Sequence, residues 1–224
     1  MRGLVEGPLS LRCSLGAHCV ESPVSSRPRM QLFQRSRDQL GHLSGLRGRG
    51  PCEHAGMRTL ILGGTGWLGG HLAAEALRRG HDVTCLARGT AVPAGVSLVQ
   101  ADRDREDALD AVAAAPWDAV IDVSSTPQHV RRSVRDLRCS AYVLVSTTSV
   151  YAENAVVGAD EDAELLPPSD DPTSYGAAKA ACEQAVLAGS APSLIARAGL
   201  IGGPGDPTSR SSYWRATTSP TRGR

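Results

Sequence analysis

One short stretch constrains the fold of this chain more than any other: Leu60-Ile61-Leu62-Gly63-Gly64-Thr65-Gly66-Trp67-Leu68-Gly69-Gly70. An apolar run stopped by glycines reads as a strand. Leu68, Leu72, Ala76 and Leu77 then recur at helical spacing before Gly80, which reads as a helix over 67–79. Two glycine registers overlap in the turn, Gly64-x-Gly66-x-x-Gly69 and Gly63-x-x-Gly66-x-x-Gly69. Glycines at these spacings let the backbone touch a pyrophosphate, while the helix N-terminus offers free N–H groups and the positive end of its dipole to the anion. The third glycine lets the helix pack closely on the strand. Because strand, turn and helix follow one another directly, the pattern predicts a dinucleotide site and not merely a tight turn. Gly63, Thr65, Gly66, Trp67, Leu68 and Gly69 are its expected contact residues.

The rest of the chain repeats the same alternation. Strands are expected over 59–62, 82–86, 96–99, 119–123, 141–146 and 193–197, with further helices over 104–115, 127–137 and about 173–187. Short, continuously apolar strands alternating with helices imply a parallel sheet covered on both faces, and right-handed crossovers then give a doubly wound, Rossmann-type α/β fold. A dinucleotide-binding domain is accordingly expected over 57–207.

The flanks differ in character. Residues 1–56 carry eight arginines against Glu6, Glu21, Asp38 and Glu53, are rich in Gly, Pro and Ser, and show no sustained periodicity. They are expected to be a disordered leader outside the fold, either upstream sequence read from a misplaced start with Met57 as the natural one, or an Arg- and Ser-rich targeting segment. From 208 to 224 the chain is again patternless and basic. The body between is mildly acidic, which does not suit a nucleic-acid surface. No apolar run is long enough to span a membrane. Of the six cysteines none forms C-x-x-C, and Cys85 and Cys182 fall on apolar faces, so reduced thiols, no metal and a cytoplasmic setting are expected.

Two further constellations carry chemistry. After strand two, where an acid would hold the ribose of NAD, the chain reads Leu86-Ala87-Arg88-Gly89. Arg88 either meets a 2′-phosphate, tilting the cofactor from NAD towards NADP, or is simply a solvated arginine. Asp102, after strand three, is placed to accept from an adenine amino group, and Val123 ends the fourth strand beside the cofactor. On the last helix, Tyr175 and Lys179 stand four apart and so on one face; Lys179 is the only lysine in the chain. A nearby ammonium favours phenolate and readies a tyrosine for proton transfer. Strand five ends in Ser146, Thr147, Thr148 and Ser149, any of which can polarise a substrate oxygen; position alone does not choose among them.

In order along the chain stand GGTGWLG, Asp102, STTSVY, the acidic DEDAEL, SYGAAK and RAGLIGGPGDP. Together these resemble the extended, epimerase/dehydratase-like branch of the short-chain dehydrogenases/reductases. The resemblance implies an NAD(P)-dependent oxidoreductase or epimerase, with Thr147, four residues before Tyr151, as the catalytic hydroxyl. It makes Tyr175 the general acid/base and Lys179 the ribose ligand, and it implies a small-molecule substrate such as a nucleotide sugar or another carbinol; a homodimer is left open. Dehydratases of this branch follow the threonine with Asp-Glu, where this chain has Thr148-Ser149, which disfavours dehydration. Arg197-Ala198 replaces the usual Arg-Pro. Members continue for a further lobe that closes over the substrate, and here that lobe is expected to be largely missing. Two other readings stay open: a non-catalytic cofactor-sensing or RNA-associated relative, and an inactive fragment.

Overall fold

The computed structural model describes residues 10–11 and 56–208, apart from 154, 156–157 and 159. Six parallel strands form the sheet: β1 (Arg58–Leu62), β2 (Asp82–Ala87), β3 (Ser97–Gln100), β4 (Pro116–Asp122), β5 (Arg138–Thr147) and β6 (Ser193–Ala198). Their spatial order is β3-β2-β1-β4-β5-β6, which reverses direction between β1 and β4. Ligands of doubly wound sheets bind at the carboxyl ends of the strands, at that reversal. The expected fold class therefore holds. The pair Ser10–Leu11 runs antiparallel to Ile201–Gly202. The rest of the basic leader, and the tail from residue 209, lie outside the described residues.

Strand alternation divides the core. Leu60 and Leu62 point to one face, with Leu86, Val120, Tyr142 and Leu144. They meet Leu109 and Val112 of α2 (Asp110–Ala113) and its preceding turn, Val130 of α3 (Pro127–Asp136), and Cys182 and Val186 of α4 (Tyr175–Leu187). Ile61 points to the other face, where Val83 and Cys85 pack on Ala73 and Ala76 of α1 (Trp67–Arg78). Each fully buried Leu, Ile or Val contributes about 1.5–3 kcal/mol relative to exposure. Burial also pushes the Cys85 thiol up to about 11, so it behaves as a small hydrophobe.

One local expectation needs correction. The helix expected over 104–115 is a 3-10 turn, Glu106–Leu109, followed by a single α-turn, Asp110–Ala113. Only Leu109 and Val112 anchor it in the core beside Ala108, too little burial to hold a longer helix. Helix α1 buries its small residues Gly69, Ala73 and Ala76 most deeply, while Leu68, Leu72 and Leu77 are half-buried along its flanks. Small residues lead because the helix lies so close to β1 and β2 that larger ones fit only beside the contact.

A row of paired residues crosses the α1 face of the sheet: Cys85, Ile61, Ile121, Val143 and Leu194. Burial falls along it, from Cys85 and Ile61 beneath α1 to Leu194, which is 48 % exposed. On the opposite face α3 and α4 pack over Leu60, Val120, Tyr142 and Leu144, all of them buried.

Candidate dinucleotide and catalytic site

The phosphate loop is built from backbone. Gly63 turns at φ +93°, a left-handed conformation that favours glycine, and its N–H donates to Leu86 O at 2.9 Å. Gly66 closes the turn by donating to Gly63 O at 3.1 Å and then accepts the first helical bond from Gly70 N at 2.7 Å. A Cβ at Gly69 would lie 2.3 Å from Gly63 O and 2.8 Å from Gly64 Cα, so the helix can approach the strand only without one. At Gly66 a Cβ would meet nothing nearer than Gly63 O at 3.5 Å. That position faces open space. Gly66 caps α1 without any side-chain hydrogen bond, and no acid occupies the first turn. The first N–H groups of α1 thus remain available beside an open cradle, which fits a pyrophosphate.

Around the loop, Val123 donates from its backbone N–H to Leu62 O at 3.2 Å, and its methyl lies directly against Gly63. Thr65 packs against Gly89, where an added Cβ would sit 2.7 Å from its Oγ1. Trp67 donates through its indole to Pro204 O at 2.8 Å, and His71 Nε2 approaches the same oxygen at 3.0 Å. The RAGLIGGPGDP segment therefore folds back onto the start of α1, and the Trp67 indole N–H is already engaged there. Leu68 is half-buried behind the loop.

At the end of β2, Arg88 is exposed; its backbone carbonyl accepts from Gln100 Nε2 at 3.0 Å, and no partner of its guanidinium is found among the described residues. Asp102 is half-buried and accepts from Asp104 N at 3.1 Å through Oδ1, bracing the loop after β3.

The catalytic candidates converge from β5 and α4. Helix α4 touches the turn after β5 so closely that a Cβ at Gly176 would lie 2.2 Å from Ser149 O. Gly176 thereby seats Tyr175 beside the Thr147–Ser149 turn. Tyr175 is 52 % exposed. Thr147 is buried and caps this turn, its Oγ1 accepting from Ser149 N at 3.2 Å and donating to Ser149 Oγ at 3.2 Å. Ser146, one of the four hydroxyls left open by the sequence, points away and donates to Glu183 Oε1 at 2.5 Å. Lys179 is only 3 % exposed, and its Nζ donates to Ser124 O at 2.7 Å and Val145 O at 2.5 Å. Burial lowers its pKa from the ordinary lysine value, against the pull of Cys182, Asp122 and Glu183.

Two buried ionic networks escaped the sequence reading. Arg103 forks onto Asp122 with Nη1–Oδ1 at 2.9 Å and Nη2–Oδ2 at 2.8 Å, while Nη2 also donates to Ser133 Oγ at 2.8 Å. Tyr142 OH donates to Asp122 Oδ2 and Ser124 N to Oδ1, each at 2.8 Å. On the far side of β5, Glu183 accepts from Ser146 and from Arg197, whose Nη2 lies 2.8 Å from Oε2; Arg197 also reaches Tyr151 OH at 3.2 Å. The available signal was polarity out of place: Asp122 closes an apolar strand, and Glu183 stands among alanines one turn beyond Lys179. Among the described residues no cluster is placed to hold a metal ion, and no helix is long and apolar enough to cross a membrane.

Sheet order, the glycine turn after β1 and the uncapped α1 define a Rossmann-type doubly wound fold. Residues 59–138 match the sequence profile of the NAD dependent epimerase/dehydratase family. Similar solved structures include WbmG of Bordetella bronchiseptica in complex with NAD and UDP, 21 % identical with a TM-score of 0.52, covering 64 % of this chain and 53 % of that one. A short-chain dehydrogenase/reductase superfamily protein of Agrobacterium tumefaciens with bound NAD is 21 % identical at a TM-score of 0.54, covering 62 % and 48 %. A Methylobacillus flagellatus protein, provisionally named as an NAD-dependent epimerase/dehydratase, is 28 % identical at 0.53, covering 63 % and 53 %. The chain thus spans about half the length of the solved structures that it matches. No curated protein sequence matches it.

Proposed function

We propose that this chain carries the cofactor half of an NAD(P)-dependent oxidoreductase or epimerase acting at a carbinol or carbonyl carbon. What supports this reading is that the uncapped glycine turn after β1, the Ser124 loop after β4 that Lys179 bonds, and the Thr147 turn after β5 all follow the carboxyl ends of their strands. Gly63, Thr65, Gly66, Trp67, Leu68 and Gly69 would form the phosphate cradle, Asp102 would take the adenine, and Val123 would flank the cofactor. A bound nicotinamide would supply or accept the hydride. Thr147 would hydrogen-bond the substrate oxygen, and Tyr175 would give or take its proton. Lys179 would hold the ribose and, with Nζ fixed by two carbonyls, would present its charge to the tyrosine from an invariant place.

Arg88, exposed at the β2 terminus, supports a lean towards NADP. NAD and UDP in the WbmG structure, together with the motif order, support a nucleotide sugar or another small carbinol as substrate. Thermal melting with NADH and with NADPH tests this reading. Saturation at about a hundred times Kd should add about 2.7 kcal/mol of stability, with the larger shift for NADPH. No shift with either cofactor would overturn it.

A further inference from the structure

Asp122 is 0 % exposed, at the carboxyl end of β4, and Arg103 is nearly as buried in the loop after β3. A buried ion pair is an expensive way to join two loops. Apolar side chains of similar volume often serve stability as well or better, so such a pair calls for a reason beyond stability. Its neighbours supply one. Arg103 directly follows Asp102, the candidate adenine ligand, and its carbonyl accepts from Arg132 Nη1 at 2.8 Å. Asp122 directly precedes Val123 and takes the Ser124 N–H at 2.8 Å. The Ser124 carbonyl in turn accepts from Lys179 Nζ at 2.7 Å. A continuous chain of bonds therefore runs from the adenine end of the site, through Arg103, Asp122 and Ser124, to the lysine at the nicotinamide end.

The carboxylate is fully committed along this chain. Arg103 gives it two donors, Tyr142 a third and Ser124 a fourth, which leaves Asp122 little freedom to rotate. The guanidinium fork fixes its plane as well as its position, something a lysine could not do. Ser133 Oγ takes a further guanidinium bond at 2.8 Å and ties α3 into the same unit.

We propose that Arg103 and Asp122 are a positioning pair that sets the spacing between the adenine loop and the Ser124 loop, so that both halves of a dinucleotide are bound at once. Neither residue touches the cofactor; the pair acts through Asp102 on one side and Lys179 on the other. This rests on the dinucleotide reading above. A ligand that fills only the adenine half needs no such spacing, whereas a whole dinucleotide does.

The test compares the full 224-residue chain with the Arg103→Met/Asp122→Leu double variant, measuring Kd for AMP (adenosine 2′,5′-bisphosphate if NADPH binds better), which lacks the second ribose that Lys179 would hold, and for the reduced dinucleotide. The double variant should fold and bind the half-ligand as the wild type does, but lose about tenfold in affinity for the dinucleotide. Arg103→Lys, which keeps the charge and loses the fork, should fall between. Equal loss for both ligands, or no loss for either, would overturn the pairing role. So would a failure of both variants to fold, which would make the pair a stability element alone. If the wild type binds neither ligand, the dinucleotide reading itself fails, a result distinct from any change of ratio.

Discussion

Lys179 Nζ lies 2.7 Å from the carbonyl oxygen of Ser124, joining helix α4 to the loop that ends β4. With the second bond to Val145 O, the ammonium is held by backbone alone and cannot follow a substrate. Replacing it with methionine should leave both buried carbonyls without a donor and lower stability by about 1–3 kcal/mol, measured by urea unfolding. The alkaline behaviour should change too. Because burial lowers the pKa of Lys179, the unfolded chain binds its proton more tightly, so wild-type stability gains a contribution as pH rises from the folded pKa towards 10.5. Lys179→Met should lack that gain.

Two glycines of the phosphate loop should respond oppositely to the same change. Gly69→Ala drives a methyl to 2.3 Å from Gly63 O and should destabilise the protein by about 1–3 kcal/mol. Gly66→Ala meets nothing closer than 3.5 Å and should melt like the wild type, yet weaken dinucleotide binding by filling the cradle. Equal losses of stability would contradict the geometry.

Hydroxyls at the end of β5 divide by direction. Tyr175→Phe and Thr147→Val should abolish turnover on a substrate once one is found, while Kd for the cofactor stays within about threefold, as expected of groups that act on the substrate oxygen. Ser146→Ala should instead cost stability, because its hydroxyl serves the buried Glu183.

Arg88 is exposed and no partner of its guanidinium is found among the described residues, so Arg88→Ala should leave the melting temperature unchanged. If it meets a 2′-phosphate, the variant should lose about tenfold in affinity for NADPH and little for NADH, since a charge-assisted bond contributes about 1.5–3 kcal/mol.

Asp122 should govern acid unfolding. Burial alone would raise its carboxyl pKa, but the charge and hydrogen bonds of Arg103, with the Ser124 and Tyr142 bonds, bring it below the usual carboxylate value. The stability it contributes is present above the unfolded value and is lost as pH falls through the folded one. Asp122→Asn should flatten that acid limb and cost about 3–5 kcal/mol near neutral pH, by leaving Arg103 buried without its counter-charge. A wild-type acid transition retained in the variant would contradict this.

The strands and the long helices were legible because each writes its own period into the chain. Leu60 and Leu62 alternate with Ile61, and the glycines after them suit only a tight turn against a helix. Where local signals were weak the reading slipped, as in the helix expected over 104–115 that the fold reduces to two short turns. The pairing of Arg103 with Asp122, and of Glu183 with Ser146 and Arg197, left no periodic trace at all. Their partners lie on separate strands and helices.

By itself the sequence determined the doubly wound sheet and the glycine turn that opens α1, because backbone conformation and side-chain period are local properties. Only the tertiary structure decided that Ser146 turns to Glu183, which carbonyls hold Lys179, and how Arg103 links the loop after β3, through Asp122 and Ser124, to Lys179. Those outcomes depend on how crossovers bring distant segments within hydrogen-bond reach, where a buried charge must find a partner or not be buried.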